Sequence, residues 1–455
     1  MTALAPNKQS PSWQRGVTLI ELMVAMVLGL LVAGGIVTVF SSTSSSNKAQ
    51  TQLARLQEEG RFAITRLGSD LRMANGLYCN NSGGAAHASS AGTLLDQVSS
   101  PRVFATDLIG AAGAVSGALG DVTTPWGSGS YPAKPTDPYD IPSFLYMRGY
   151  DCTLTTCTPD PTSAGLPAMG ITNGTRVKGA DVLTVRYVNP DGGWSIGQAG
   201  GSSLVTTNVG GAQTLTGIAI VPLAGEPPAT DFATGDLAML ADCSNAQIFA
   251  LGGVGSGILV LAGGANFAST TPVVPIQAPR LFDVNRDFRT VTYYLKVVSV
   301  NNDGKAPFTG ALMRRVNGGT TGRGGSEDEL VRGIERLDFR YGVEDAGGDT
   351  SFLSAAQIDS ATNCPPQEPE AQALTTTGCL WRAVRSIEVS ILMDGQVPLY
   401  TLSGSDLLYA YTADGNPGLL APSAHAYKPS SDQGFPDQLL RRQFTALVAV
   451  RNFNP

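Results

Sequence analysis

Charged residues and proline are missing from a long stretch near the N-terminus. Between Val17 and Phe40 the sequence has no Lys, Arg, Asp, Asn or Pro, and its single carboxylate is Glu21. A helix of about 20 apolar residues is long enough to cross the core of a membrane. A secretory signal has its small-residue cleavage site after the apolar run, whereas the small residue Gly16 precedes it here. The stretch therefore predicts a membrane-spanning helix that stays on the mature protein.

Histidine and charge are scarce in the rest of the chain. Of the 455 residues, two are His (His87 and His425) and 15% are charged, whereas 54 are Gly and 28 are Pro. This composition is typical of a β-rich secreted domain with many turns. The formal net charge of −7 argues against nucleic-acid binding through a broad basic face, and no direct nucleic-acid site is evident. No cofactor motif stands out either.

Glu21 is the exceptional residue of the apolar stretch. A carboxylate in the middle of a membrane span costs about 2.5–3.5 kcal/mol. One interpretation is that the dipole at the start of the helix and the lipid headgroups favour the negative charge. The other is that Glu21 pairs with a positive charge from another subunit when the helices leave the lipid and form a bundle.

The sequence RGVTLIELMVA, residues 15–25, resembles the leader and first helix of type IV pilins. In that family a prepilin peptidase cuts after the Gly and methylates the new N-terminus, and the Glu meets the N-terminal amine of a neighbouring subunit. The resemblance implies cleavage between Gly16 and Val17, N-methylation of Val17 and an assembly role for Glu21. Val17 departs from the family, in which the first mature residue is usually Phe.

Later segments extend the resemblance to the PilW type of minor pilin. They are ARLQEEGRFA at 54–63, DLRMA at 70–74, ELVRGIERLDFRYGV at 329–343 and WRAVRSIEVSIL at 381–392. The resemblance implies a protein that joins other minor pilins and the major pilin to prime assembly of a type IV pilus, near the filament tip. The resemblance also implies that the pilus is used in attachment, twitching motility or DNA uptake. The prepilin peptidase, the assembly platform of the inner membrane and, before assembly, membrane lipid are the other implied partners.

Two alternative functions stay open. The same N-terminus occurs in minor pseudopilins of type II secretion systems. Gly193-Trp194-Ser195-Ile196-Gly197 matches GxSxG, and with His425 downstream it is the pattern of a membrane-tethered serine hydrolase. That motif needs a helix after the serine, and the residues after Gly197 are poor helix formers. A glycine-rich turn with a packed Trp194 is therefore the better interpretation, and we predict that the protein is not an enzyme.

The predicted fold is α+β, with a long N-terminal transmembrane and amphipathic helix packed on a β-rich, largely antiparallel globular domain. Lys8 and Arg15 precede the apolar stretch and no Lys or Arg follows until Lys48, so the N-terminus should be cytoplasmic and the globular domain periplasmic. The predicted divisions are a leader (1–16), the two halves of the helix (17–40 and 41–75), a low-complexity insertion (80–142) and the globular domain (143–455).

The second half of the helix has an apolar and a charged face. The apolar face comprises Leu53, Leu56, Ile64, Leu67 and Leu71. The charged face is predicted to lie in solvent, and the patch Glu58–Arg61 within it is a candidate subunit contact. The residues of the charged face are Arg55, Glu58, Glu59, Arg61, Arg66, Asp70 and Arg72.

Strands are predicted where β-branched and aromatic residues alternate or cluster between turn residues. Asn301-Asn302-Asp303-Gly304 predicts a hairpin between two of them. The predicted strands are 180–188, 235–242, 246–251, 258–262, 289–300, 308–316, 335–344, 385–394 and a segment around 444–450.

The six cysteines of an exported chain are expected to form disulfides. Spacing favours Cys152–Cys157 and Cys364–Cys379 as local pairs and leaves Cys79 with Cys243, although six cysteines allow 15 connectivities. No CxxC pair occurs, so no metal site is predicted. Residues 283–287 share acidic spacing with a calcium loop but lack its Gly and its final Glu, and they predict a solvated loop.

Overall fold

The computed structural model divides the chain into two compact units, Met1–Ala54 and Arg55–Pro455. The residues that it describes are 16–78, 101–105, 138–141, 143–161, 165–209, 211–242, 246–261, 279–319, 325–344, 350–361, 378–399, 409–410, 419–420 and 428–451. Most of the predicted insertion at 80–142 therefore lies outside the described residues.

The N-terminal helix α1 runs without interruption from Leu19 to Met73. Its continuity agrees with the absence of proline between residues 12 and 100. The serine-rich strip at 41–46 is also helical. After α1 the chain turns at Asn75, which has a left-handed φ of 65°. Asn tolerates this conformation better than most residues and commonly follows a helix.

The described residues of the second unit comprise the remainder of α1, a series of strands and the short α-helices α2 (Val284–Asp287) and α3 (Ala355–Ser360). The strands are β1 (Arg102–Val103), β2 (Tyr139–Asp140), β3 (Met147–Cys152), β4 (Cys157–Thr158), β5 (Met169–Gly170), β6 (Arg176–Val177), β7 (Val182–Val188), β8 (Trp194–Ser195), β9 (Ser203–Val209), β10 (Ala212–Ala219), β11 (Leu237–Ala241), β12 (Ala246–Gly255), β13 (Ile258–Leu261), β14 (Arg280–Asp283), β15 (Phe288–Ser299), β16 (Phe308–Val316), β17 (Ser326–Arg332), β18 (Ile334–Glu344), β19 (Thr350–Leu353), β20 (Val384–Asp394), β21 (Tyr409–Ala410), β22 (Leu419–Leu420) and β23 (Arg441–Ala449).

These strands form three main sheets and a small β21–β22 pair within the described residues. Sheet I has the order β17-β16-β15-β7-β3-β4, with β6 beside β15 and β5 beside β6. Sheet II has the order β19-β18-β20-β23, and sheet III has the order β8-β14-β11-β12-β13-β10-β9, with β1 beside β12 and β2 beside β1. The pairings are antiparallel apart from β1–β12 and β5–β6. The predicted α+β architecture is confirmed.

The predicted strands are present, and sheet II joins the three that alternate most regularly, β18, β20 and β23. The Asn301–Gly304 turn connects β15 to β16, which pair from Val291 with Val316 to Ser299 with Phe308. Strand β3 escaped prediction because it is buried almost throughout and does not alternate. The threonine-rich β9–β10 hairpin was also not predicted from the sequence.

The part of α1 in the second unit covers the sheets with a narrow apolar face. Leu56, Ala63, Leu67 and Leu71 are buried, at spacings of 7, 4 and 4 residues, in one core with the inner residues of the sheets. Leu53, predicted on this face, is 37% exposed, so that prediction is wrong. The helix face is set by what it packs against, and Ala63 takes a buried position that an apolarity pattern does not mark.

Gly60 and Gly68 lie on the packed side of α1, but they have different surroundings. A Cβ on Gly60 would lie 2.6 Å from Cζ of Phe444 in β23. A Cβ on Gly68 would meet Val448 at 3.8 Å, which is an ordinary van der Waals distance. The ring of Phe444 therefore occupies the space that a Cβ on residue 60 would need, whereas residue 68 can carry a Cβ.

We expect alanine at these two glycines to change stability in opposite directions. Gly60→Ala forces Phe444 to move, and overpacking of this kind costs about 1–3 kcal/mol. Gly68→Ala gains helix propensity, places its Cβ at an ordinary contact distance from Val448 and should stabilise by about 0.5–1 kcal/mol. Urea unfolding of the detergent-solubilised full-length protein measures both. Equal shifts of the two midpoints would contradict the packing of β23 on Gly60.

Buried polar groups add contacts between sheets I and II and within sheet II. Asp181 accepts hydrogen bonds from the backbone N–H of Cys152 in β3 (2.8 Å) and of Phe339 in β18 (3.1 Å). Glu335 and Arg441, at the starts of β18 and β23, form a two-pronged ion pair with N–O distances of 2.7 and 2.8 Å. Two-pronged geometry of this kind offsets part of the cost of removing both charges from water.

Candidate functional site

The N-terminus of α1 is capped by two of its own residues. Glu21 Oε2 accepts hydrogen bonds from the backbone N–H and the hydroxyl of Thr18, both at 2.9 Å, and the N–H of Glu21 donates to Thr18 Oγ1 at 3.3 Å. This reciprocal arrangement is a capping box, in which Thr18 precedes the helix and Glu21 is its third residue. The sequence contains the Thr-x-x-Glu pattern, but our sequence analysis missed it.

The other carboxylate oxygen of Glu21 is available. Among the residues that the structure describes, Oε1 accepts no hydrogen bond, and the residue lies on the surface of the helix. Gly16 and Val17, the predicted cleavage and methylation residues, are exposed immediately before α1. Glu21 can therefore maintain the helix cap through Oε2 while Oε1 is available to pair with a cation of another molecule.

Apolar side chains cover all faces of the first part of α1. The helix is long and apolar enough to cross a membrane, and the residues of its apolar window are not buried in the protein. Such a helix needs lipid or other helices around it. The large apolar side chains that are more than half exposed include Leu19, Ile20, Leu22, Met23, Val24, Met26, Val27, Leu28, Leu30, Leu31, Val32, Ile36, Val37, Val39 and Phe40.

The end of α1 is attached to sheet I through Asp70. Its carboxylate accepts hydrogen bonds from the hydroxyls of Tyr293 (2.6 Å) and Tyr187 (3.0 Å) and from Arg314, whose Nε lies 2.7 Å from Oδ2 and Nη2 3.3 Å from Oδ1. Asp70 is 4% exposed, so the prediction that it lies in solvent is wrong. We call these four residues the Asp70 cluster.

The electrostatics of the Asp70 cluster favour an ionised carboxylate. Burial alone would raise the pKa of Asp70, but the hydrogen bonds and the charge of Arg314, helped by Tyr293 and Tyr187, hold the pKa below its ordinary value. Burial and the neighbouring carboxylate raise the pKa of both tyrosines, which therefore stay protonated as donors. The sequence signal was weak, because a lone Asp on a charged helix face looks like its solvated neighbours.

In the Glu58–Arg61 patch, two residues make contacts within the protein and two are exposed to solvent. Glu59 pairs with Arg55 at 2.7 Å and accepts a hydrogen bond from Gln396 at 3.3 Å, while Gly60 is buried. Glu58 and Arg61 are exposed. A groove of about 560 Å³ lies beside the patch, lined by Arg55, Glu58, Glu59, Phe62, Glu329, Leu330, Val331 and Arg332. A role of the patch in subunit contact stays a prediction.

The GxSxG segment does not form a nucleophile elbow. Ser195 lies in β8, which pairs with β14, and it follows Gly193 (φ 74°) and the fully buried Trp194. No helix follows within residues 196–209, a segment whose backbone the structure describes. A serine hydrolase of this class presents its nucleophile between a strand and a helix. His425, the other candidate residue, lies outside the described residues.

The acidic spacing at 283–287 forms a buried helix cap instead of the predicted solvated loop, so that prediction is wrong. Asp283 accepts the N–H of Asn285 at 2.9 Å at the start of α2, and Asp287 accepts the N–H of Asp283 and pairs with Arg286. Burial, and after it the charge of Asp236, raises the pKa of Asp283 to about 7. Across the described part of the chain, no group of three or more His, Cys, Asp or Glu is placed to hold a metal ion.

Cys152 and Cys157 form a disulfide between the adjacent strands β3 and β4. Cys79, Cys243 and Cys364 lie outside the described residues, and the structure describes only the backbone of Cys379. The pairings of Cys364 with Cys379 and of Cys79 with Cys243 stay predictions.

Two family models match the chain. Residues 14–37 match the prokaryotic N-terminal methylation motif, which contains Gly16, Val17 and Glu21. Residues 292–452 match the model described as type IV pilus-assembly protein W, a segment that includes Tyr293 and Arg314 of the Asp70 cluster. Comparisons with curated proteins and with solved structures give no match. The two family matches confirm the resemblance to type IV pilin-like minor pilins of the PilW type.

Proposed function

We propose that this chain is a minor pilin that takes part in initiating and assembling a type IV pilus. The observation that carries the proposal is the N-terminal unit, an exposed apolar helix that begins with a methylation motif and bears one carboxylate with a free oxygen. A helix of this kind can be stored in lipid and later transferred to a bundle of similar helices. The PilW match supports a role in the pilus system.

Glu21 is the proposed docking residue. A neighbouring subunit cleaved by the prepilin peptidase presents a new N-terminal amine, which is a cation inside an apolar bundle. Such a cation needs a counter-charge, because an unpaired ion in a low-dielectric region is costly. Oε1 of Glu21 supplies that charge without loss of the cap on Thr18. In the same way, Val17 of this chain would become the methylated N-terminus offered to a Glu of a neighbour.

The proposed orientation places the N-terminus in the cytoplasm and the second unit in the periplasm, before transfer to the cell surface. Lys8 and Arg15 precede the apolar stretch and Lys48 is the first basic residue after it. Basic residues are retained on the cytoplasmic side of a span. The inner membrane, its pilus assembly platform and the prepilin peptidase are therefore the proposed surroundings of the unassembled protein.

The proposed place in the filament is at or near the tip. The second unit runs from Arg55 to Pro455, and a globular part of this size would crowd the regular spacing of a shaft. A tip carries few copies, so the head can be large and can reach a surface or another molecule. Adhesion, twitching motility and DNA uptake are activities that such a pilus would support.

The experiment that tests the proposal is deletion of the chain from its own cell and complementation with the wild-type sequence. We expect the deletion strain to lose surface pili and to continue type II secretion, and the complemented strain to regain its pili. Loss of secretion with normal pili would assign the chain to a pseudopilus and overturn the pilus proposal. Mass spectrometry of the purified protein should show a mature N-terminus at methylated Val17, and an unprocessed N-terminus would contradict the pilin pathway altogether.

A further inference from the structure

The Cys152–Cys157 disulfide closes a tight hairpin in sheet I. Cys152 in β3 lies directly opposite Cys157 in β4, and the adjacent pair is Asp151 with Thr158. Cys152 is 5% exposed, whereas Cys157 is half-buried and can be reached from solvent. The two sulfur atoms therefore differ in access to an external reagent.

A buried arginine lies against both sulfur atoms. Nη1 of Arg176 in β6 is 3.3 Å from Sγ of Cys152 and 3.1 Å from Sγ of Cys157, and Nε donates to the carbonyl of Pro167 at 3.3 Å. Arg176 is 1% exposed. Among the described residues it forms no ion pair, and the sulfur atoms take the place where a carboxylate would be expected.

The charge of Arg176 is poorly compensated while the disulfide is intact. Buried cations are normally paired with an anion, because the interior solvates a charge poorly. A disulfide is neutral and its sulfur atoms are weak acceptors. Burial accordingly lowers the pKa of Arg176, and the charge of Asp160 opposes this effect in part. A thiolate at either sulfur would supply the missing counter-ion.

We propose that Cys152–Cys157 is a thiol–disulfide exchange site at which Arg176 stabilises the thiolate released by a dithiol reductant. A thiolate of the reductant attacks Sγ of Cys157, the S–S bond breaks, and its electron pair leaves on Sγ of Cys152 beside Nη1 of Arg176. The second thiol of the reductant loses its proton and attacks the mixed disulfide. Cys157 is then released as a thiolate that takes up a proton, and the reductant leaves as a disulfide.

Two physical effects favour this direction. A leaving thiolate with a lowered pKa departs faster in thiol–disulfide exchange. Stabilisation of the reduced form also makes the disulfide more oxidising, since the equilibrium depends on the difference between the two forms. The role of Arg176 is therefore that of a positioning and charge-compensating residue.

The test is a redox titration of the detergent-solubilised full-length protein in glutathione buffers of defined potential. Free thiols are alkylated at each potential, and mass spectrometry quantifies the peptide that contains Cys152 and Cys157. We expect Arg176→Gln to lower the equilibrium constant for reduction about tenfold, which corresponds to a potential about 30 mV more negative. Arg340→Gln, which removes an exposed arginine from β18, is the matched control and should leave the constant unchanged. Equal constants for wild type and Arg176→Gln would overturn the proposal.

A second measurement on the wild-type protein keeps the proposal testable if Arg176→Gln does not fold. The reduced wild-type protein is alkylated with iodoacetamide across a pH series, and the rate at Cys152 reports its thiolate fraction. We expect half-maximal reactivity at a pH clearly below about 8.5, the ordinary pKa of a cysteine thiol. Half-maximal reactivity at or above that pH would overturn the proposal, because the buried thiolate would then receive no stabilisation from Arg176.

Discussion

Replacement of Glu21 by alanine should abolish surface pili while the protein is still made, cleaved between Gly16 and Val17 and retained in the membrane. A neighbour's N-terminal amine would lose its counter-charge in an apolar bundle, and an uncompensated buried ion of this kind costs about 3–5 kcal/mol. Electron microscopy of surface pili and a twitching assay measure the effect. Immunoblotting and mass spectrometry of the membrane fraction establish that expression and processing are intact.

Glu21→Gln is the matched variant that separates charge from helix capping. Glutamine serves in a capping box as glutamate does, so it can accept from the N–H and hydroxyl of Thr18. We expect Glu21→Gln to lose pili as fully as Glu21→Ala, because both lack the negative charge. Normal pili with glutamine and lost pili with alanine would identify Glu21 as a capping residue. Normal pili in both variants would eliminate the assembly role.

Replacement of Asp70 by asparagine should be among the most destabilising changes in the second unit. It removes the carboxylate charge that pairs with Arg314, which is 8% exposed, and disturbs the hydrogen bonds of Tyr187 and Tyr293. Loss of one partner of a buried ion pair costs about 3–5 kcal/mol. Urea unfolding of the full-length protein measures this change. Glu58→Gln, at an exposed carboxylate on the same helix, is the control and should change stability by less than about 0.5 kcal/mol.

A double-mutant cycle shows whether Asp70 acts through Arg314. We expect Asp70→Asn combined with Arg314→Gln to cost less than the sum of the single changes, with a coupling free energy of about 1–3 kcal/mol. Additive effects would mean that Asp70 stabilises α1 without the ion pair. An unfolding midpoint of Asp70→Asn equal to that of the wild type would reject the Asp70 cluster as an anchor.

The same cluster should make stability depend on pH in the acidic range. The folded state lowers the pKa of Asp70, so its contribution is present above the ordinary pKa of the carboxyl and is lost as the pH falls through the lowered folded value. The stability difference between wild type and Asp70→Asn should therefore shrink in acid. A difference that grows as the pH falls would contradict an ionised Asp70.

Local sequence determined the elements whose physics is local. The apolar stretch and the absence of proline predict a long N-terminal helix, and α1 extends from Leu19 to Met73. Strict alternation predicts β18, β20 and β23, because a strand with one buried face repeats every two residues. The Thr18–Glu21 cap is equally local, and its pattern was present in the sequence although we overlooked it.

Tertiary contacts decided which polar residues are buried and what they do. Asp70 looks like the solvated residues around it until β15 and β16 place Tyr293 and Arg314 against its carboxylate, more than 200 positions away. The acidic spacing at 283–287 looks like a solvated loop until burial turns it into a helix cap. Arg176 acquires significance only because a separate strand places it against the Cys152–Cys157 disulfide. Sequence alone thus determined the helix, the most regular strands and the pilin N-terminus, since these depend on neighbours within a few residues. The tertiary structure decided the buried charges, because their partners come from strands that folding alone brings together.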